Sequence, residues 1–423
     1  MNDDAGDVLS GPIARPSRAA LYLAVSSPPR LAVVTTHPVQ YSAPLFRRLT
    51  ERGEVEPHVF YSWQGAADEA ALDRGFGTSF AWDIPLLDGY AHSFLDNVAD
   101  EPGTHHFRGI DAPSLVPTIE AWGPDAVLVI GWNHRAHLQA LRTFHGRRPV
   151  LFRGDSTLID ERRDLAGHAR ALARRLALRW VYHHVDHALY VGTHNRAYFR
   201  AHGLGEAQLS WAPHAIDTER FAAPSGELEA EARAWRGSLG IADADRAAVF
   251  VGKLEPKKAP GVLLDAFLGG ASGLDHLVFC GTGPLEDDLR AHARDRSDVH
   301  FLGFQNQTRM PLAYRLGDVV VLPSRGPGET WGLAVNEAMA CRRPTVVTDR
   351  VGCAPDLVTA ATGRVVPAGD AGALAAALAE IAAPGVAERL GAQAFEHIQA
   401  WTLDETARRI GEATVAVVRE MGG

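Results

Sequence analysis

Two carboxylates eight residues apart, Glu329 and Glu337, stand in the stretch Gly328-Glu329-Thr330-Trp331-Gly332-Leu333-Ala334-Val335-Asn336-Glu337-Ala338-Met339-Ala340. A short β-branched run, Val319 to Leu322, precedes them, and a helical pattern begins near Gly332 or Leu333. That order predicts a strand, then a loop carrying Glu329, then a helix carrying Glu337. A helix start offers unsatisfied N–H groups and a partial positive charge, a natural seat for a diphosphate. Gly332 lets the backbone approach a ligand closely. Glu337, more than a turn further along, can accept from ribose hydroxyls, and Glu329, ahead of the helix, can reach a group beyond the phosphates. The plainer reading is a solvated helix acid and a loop charge.

A second constellation is Val251-Gly252-Lys253-Leu254-Glu255-Pro256-Lys257-Lys258, directly after the apolar run Ala248 to Val251. A lysine run is ordinarily a solvated face. Placed at a strand end beside a glycine, these ammonium groups can neutralise charge building on a departing phosphate. The turn Phe279-Cys280-Gly281-Thr282-Gly283-Pro284 also follows a strand-like run. It lacks the third glycine and the acidic partner of a dinucleotide fingerprint, which disfavours a dehydrogenase. No Asp-x-Asp pair stands in a convincing strand-end setting. Cys280, Cys341 and Cys353 form no C-x-x-C pair, so neither zinc nor a disulfide framework is expected. Charge relief is therefore assigned to lysines and the helix start, with no metal and no cofactor.

These residues need strands to hold them. Structure begins at Arg30. Strand-like runs follow at Leu31–Thr36, His58–Trp63, Ala126–Ile130, Val150–Arg153 and Ala188–Val191. A second series comprises Ala248–Val251, Leu277–Cys280, Val299–Leu302, Val319–Leu322 and Thr345–Thr348. Residues 64–110 read as mixed loop and short elements. Helical patterns alternate with the strands, including about Asp160–Tyr182, Gly372–Ala383 and Trp401–Val418. The alternation predicts an α/β chain of two doubly wound, parallel-sheet Rossmann-like domains facing a cleft. Ligands then sit beyond the carboxyl ends of the strands, which is where each motif falls. The expected division is a disordered tail over 1–29, one domain over 30–213, a second over 214–400, and a C-terminal helix over 401–423 returning to the first domain.

With 423 residues, 46% of them hydrophobic, the chain can bury the cores of two or three domains. A net charge of −9 argues against duplex nucleic acid as a partner. No apolar run is long enough to cross a bilayer. The first 29 residues lack the basic start and cleavage pattern of a signal peptide. Together with the cysteine usage, this gives a cytoplasmic expectation.

Taken in order, the motifs resemble those of glycosyltransferase family 4, retaining enzymes of the GT-B fold. Glu329 to Glu337 resembles the family's E-x7-E pattern, and Gly252-Lys253-Leu254 to Lys258 its glycine–basic–leucine…lysine pattern. Gly281-Thr282-Gly283-Pro284 is similar to its G-x-G-P turn, and Phe301-Leu302-Gly303-Phe304-Gln305 to the segment beside the nucleobase. Trp211 to Phe221 resembles the interdomain stretch, and Val351-Gly352-Cys353-Ala354-Pro355-Asp356 closes the series. The resemblance implies that Lys253 and Lys258 stabilise the leaving diphosphate and that Glu329 contacts the transferred sugar. It implies backbone N–H groups from Thr330, Trp331, Gly332, Leu333 and Ala334, ribose binding by Glu337, a close approach at Gly281, and Phe304 and Gln305 flanking the base. Arginine is the common family residue where this chain has Lys253. Lysine keeps the charge and loses the bidentate fork.

The family's first domain binds the acceptor, and there the likeness is weaker. Thr36-His37-Pro38-Val39-Gln40-Tyr41 stands in place of a Gly-rich loop. His37 and Gln40 are candidate acceptor contacts. His134 is a candidate for a displaced catalytic histidine, or a residue at a helix start. Arg153-Gly154-Asp155-Ser156 follows a strand, with Arg153 and Asp155 as acceptor contacts or Asp-Ser as a cap. From 162 to 180 a basic helical stretch carries Leu165, Ala169, Leu172 and Leu176 at helical spacing. It fits a surface helix with its stripe in the core, or a peripheral contact with the inner face of a membrane. The implied activity is metal-independent transfer of a sugar from a nucleotide-sugar donor to a hydroxyl acceptor, with retention. The acceptor is a glycan, a lipid-linked glycan or a natural product. An epimerase or phosphorylase of the same architecture, or a non-catalytic nucleotide-sugar-binding protein, are the alternatives.

Overall fold

The computed structural model describes residues 27–422 apart from 65–70, 74–77, 81, 160–164, 224 and 295. The tail expected over 1–29 falls outside the described residues except for its last three. Fifteen strands are described: β1 (Arg30–Thr35), β2 (Glu56–Tyr61), β3 (Ala71–Asp73), β4 (Thr78–Phe80), β5 (Ala91–Phe94), β6 (Ala126–Ile130), β7 (Val150–Arg153), β8 (His187–Tyr190), β9 (Leu209–Trp211), β10 (Ala247–Val251), β11 (His276–Cys280), β12 (Val299–Phe301), β13 (Val319–Leu322), β14 (Thr345–Thr348) and β15 (Gly363–Val366).

Two sheets contain all but one short hairpin. The first runs β5-β2-β1-β6-β7-β8-β9 and the second β12-β11-β10-β13-β14-β15, every neighbouring pair parallel. With the β3-β4 hairpin set aside, each sheet follows the doubly wound order 3-2-1-4-5-6, the first adding one more strand. The strand order reverses beside β1 in one sheet and beside β10 in the other. The crevices for ligands therefore open beyond Thr35 and Val251.

Helices cover both faces of a parallel sheet, so its central strands are apolar throughout. Leu31, Val33 and Leu128 face one core together with Phe46, while Ala32, Val34 and Val127 face another with Phe144. The sequence runs foretold these strands to within a residue or two. Within the two parallel sheets three strands escaped it: β5, β9 and β15. Each lies at a sheet edge, where one flank is open and the apolar demand is weaker.

The helix Leu403–Gly422 packs Leu403, Ala407, Ile410 and Ala413 into the first sheet's core, beside Phe46 and Leu49. The chain thus crosses between the sheets twice, at Ala212–Phe221 and again just before Leu403. The two crossings meet in an isolated parallel bridge between Ile216 and Thr402.

The stretch expected to be helical over 162–180 is described as the helix Leu165–Tyr182. It meets the core through Leu178, Val181 and Tyr182, whereas two leucines of the expected stripe point outward: Leu172 is 61% and Leu176 63% exposed, and Trp180 is 49% exposed.

Candidate active site

A cleft of about 990 Å³ opens between the carboxyl ends of the two sheets. The second domain contributes the loops after β10, β11 and β13 and the start of the helix Leu333–Ala340. The first contributes the loop after β1, the segment around Trp82–Asp88, and Asp155 after β7.

Gly332 caps the helix at φ +98°, a left-handed conformation that favours glycine. A Cβ there would also lie 2.9 Å from both Leu322 and Val351. Glycine is thus required twice over, and it turns the chain so that Thr330, Trp331, Gly332, Leu333 and Ala334 all line the cleft. Trp331 is buried. Its indole N–H donates to Asn336 at 2.8 Å, and Asn336 donates to the His214 carbonyl at 2.9 Å. The helix start is thereby tied to the first interdomain crossing.

Lys258 and Glu329, predicted from separate motifs, meet. The ammonium lies 2.8 Å from Glu329 Oε2, which also accepts from the Ser324 hydroxyl at 2.9 Å. Glu329 is 9% exposed. In such surroundings an unpaired carboxylate would be costly, and the lysine offsets that cost while facing the cleft. Lys253, Gly281, Phe304 and Gln305 line the same space.

Glu337 lines it too, with only 2% of its surface exposed. Burial raises its pKa. Phenols oppose that shift: Tyr314 donates to Oε2 at 2.5 Å and Tyr41 to Oε1 at 3.1 Å. Tyr314 lies on the helix Met310–Arg315 of the second domain, whereas Tyr41 belongs to the first. Neither tyrosine was assigned a role from the sequence. Tyr41 stood in the strand-end loop, but a phenol carries no spacing signature, and Tyr314 sits in an ordinary helix.

From the first domain, His37, Gln40 and Asp155 line the cleft. The His37 ring stands edge-on to Trp63 with centroids 5.7 Å apart, and its Nδ1 is 3.0 Å from the Thr36 hydroxyl. Burial, aided by nearby His134, lowers its pKa and favours the neutral ring. Asp155 accepts from the Thr330 hydroxyl across the cleft at 2.7 Å. Trp63, Trp82, Ile84, Leu86 and Leu87 form an apolar wall that sequence reading did not foresee.

Two candidates stand elsewhere. Arg153 is buried, and its guanidinium donates to the carbonyls of Ala212 at 2.7 Å and Pro213 at 2.8 Å. It braces the interdomain crossing, and desolvation lowers its pKa to about 10. His134 is 3% exposed at the start of the helix Arg135–Phe144, its ring 5.5 Å from that of His137. Neither lines the cleft.

Comparison with known proteins places the sequence likeness in the second domain. Residues 245–383 match the family model "Glycosyl transferases group 1". A GDP-mannose-dependent monoacylated alpha-(1-6)-phosphatidylinositol monomannoside mannosyltransferase of Corynebacterium glutamicum is 28% identical over 56% of this chain and 64% of its own length. A D-inositol 3-phosphate glycosyltransferase of Mycobacterium tuberculosis is 32% identical over 42% of this chain and 36% of its own. The matched stretches thus span less than two thirds of either relative. Among solved structures, Anabaena HepE in complex with UDP superposes with a TM-score of 0.69 at 17% identity, covering 92% of this chain and all of that one. Sucrose-phosphate synthase from Thermosynechococcus elongatus gives 0.67 at 17% identity, over 93% and all. Both share the fold of two facing α/β domains. The second domain thus carries the likeness to the group 1 glycosyltransferases, over residues 245–383, and the chain as a whole has the two-domain fold of these solved structures.

Proposed function

We propose that this chain transfers a sugar from a nucleoside diphosphate sugar to an acceptor hydroxyl, with retention of anomeric configuration and without a metal. The observation that carries the reading is the Lys258–Glu329 pair at 2.8 Å, set beside a helix start and Glu337 around one cleft. The helix N–H groups and Lys253 and Lys258 receive the diphosphate and stabilise its charge as the glycosidic bond breaks. Glu337 takes the ribose, and Phe304 and Gln305 flank the base. Glu329 Oε2 already accepts from Lys258 and Ser324, which suits positioning the sugar rather than attacking it. The acceptor hydroxyl enters from the side of His37, Gln40 and Asp155, on the face from which the diphosphate leaves, and the leaving phosphate takes its proton.

The Anabaena neighbour's complexes with UDP and with UDP-glucose support a nucleotide-sugar donor, as does the GDP-mannose dependence of the Corynebacterium relative. We assign the chain to the cytoplasm, peripheral to the inner membrane face through the helix Leu165–Tyr182. On that helix the exposed Leu172, Leu176 and Trp180 stand among the exposed Arg170, Arg174, Arg175 and Arg179.

A thermal-shift panel of UDP, GDP, ADP and TDP tests the donor site, since a ligand of the folded state raises apparent stability. One nucleotide should stand out. NMR of the product made from the matching donor should show the donor's anomeric configuration, with turnover unchanged by a chelator. Inversion of the anomeric centre would overturn the retaining assignment, and a released epimer would replace transfer by epimerisation.

A further inference from the structure

The ribose-binding role assigned to Glu337 meets a carboxylate that is hydrogen-bonded at both oxygens and almost wholly covered. Tyr314, wholly within the second domain's core, holds Oε2. Oε1 is the oxygen left for a ligand, yet it accepts from Tyr41, a residue of the opposite domain. Both Glu337 and Tyr41 line the cleft, and Glu337 is nonetheless 2% exposed. The phenol therefore stands between the carboxylate and the open space. Tyr41 ends the loop that carries His37 and Gln40 and leads into the helix Ala43–Arg52. Burial and the neighbouring Glu337 raise the Tyr41 pKa, so the phenol keeps its proton and remains a donor.

We propose that Tyr41 is a cross-domain latch on Glu337, displaced by the donor's ribose, so that nucleotide binding releases the acceptor-side loop. The inference rests on the ribose role given to Glu337 above. No bond is made or broken covalently: one O–H donor to Oε1 is exchanged for another. The ribose hydroxyl gains the carboxylate only as the phenol withdraws. His37 and Gln40 are four residues and one residue along the backbone from the residue that moves, so the acceptor contacts are set by donor occupancy.

Calorimetric titration of UDP and GDP into the wild-type chain and Tyr41→Phe tests this. Phenylalanine keeps the ring and removes the latch, so the nucleotide that binds wild type should bind the variant on the order of tenfold more tightly, the worth of one hydrogen bond to a charged group. Hydrogen exchange gives a second reading: in wild type, amides over 37–42 should exchange faster once nucleotide is bound, and in Tyr41→Phe they should be fast from the outset. Equal or weaker nucleotide binding by the variant, or slower exchange in the loaded wild type, overturns the latch and leaves the nucleotide site standing. Failure of wild type to bind either nucleotide overturns both.

Discussion

The Thr330 hydroxyl donates to the Asp155 carboxylate at 2.7 Å, joining the two domains one residue away from Glu329. Asp155→Asn keeps the shape but weakens this charge-assisted bond. If the bond sets the position of the loop that carries Glu329, kcat should fall by about tenfold, with donor KM little changed. Steady-state kinetics at saturating acceptor measures this. A rise in donor KM at constant kcat would instead make Asp155 part of ground-state binding.

Lys258→Ala removes the ammonium proposed to face the leaving group and should lower kcat on the order of a hundred- to a thousandfold. It also leaves Glu329 buried beside Ser324 alone, which should cost roughly 3 kcal/mol of folding stability. Combining it with Glu329→Gln should recover much of the stability and none of the activity. Urea unfolding and turnover, measured on both single variants and the double, separate the two effects. Additive stability losses would show that the pair is not coupled.

Stability should fall on mild acidification. His137 is fully buried, between the Ser62 hydroxyl at 2.9 Å and the Gly131 carbonyl at 3.0 Å. Burial lowers its pKa from 6.5 to about 4. His214 falls equally far, through burial and then the nearby Arg153. Between pH 6.5 and 4 the unfolded chain binds protons at these rings that the folded chain does not. Stability present above pH 6.5 is therefore lost as pH falls, by about 1.4 kcal/mol per pH unit for each histidine. Denaturant midpoints from pH 7 to 5 should show the slope, and His137→Gln should flatten it. An unchanged slope in that variant would remove His137 from the account.

The helix Leu165–Tyr182 should hold the chain on anionic vesicles. Replacing Leu172 and Leu176 together by Glu should abolish co-sedimentation with phosphatidylglycerol vesicles, and added salt should weaken it in wild type. Equal binding to purely zwitterionic vesicles would discount the arginines. Retention of binding by the double variant would place the contact on another face.

Central strands and donor-side motifs were legible in the sequence because the physics behind them is local. A parallel strand buried on both faces must be apolar without interruption, as Val319–Leu322 is. A ligand-facing loop must then follow it, which puts Glu329 where it is found. The missed features depend on long-range partners. Ala91–Phe94 carries a histidine and a serine because an edge strand tolerates them, so it did not read as a strand. Arg153 looked like a cleft residue from its strand-end position, but its guanidinium turns inward to the carbonyls of Ala212 and Pro213. Tyr41 and Tyr314 are 273 positions apart in the chain, and only the closed pair of domains places both phenols on one carboxylate. The stripe of leucines on the Leu165–Tyr182 helix has helical spacing whether it faces protein or lipid. Periodicity alone could not decide between the two.

The pairing of Ile216 with Thr402 has a mechanical corollary. Two connections laid side by side constrain relative motion as a door's two knuckles share one pin. The halves can swing about that line, while sliding or twisting would tear the knuckles apart. Opening thus widens the rim of the cleft away from that line most, and leaves Trp331 and Asn336, tied to the crossing through the His214 carbonyl, almost still.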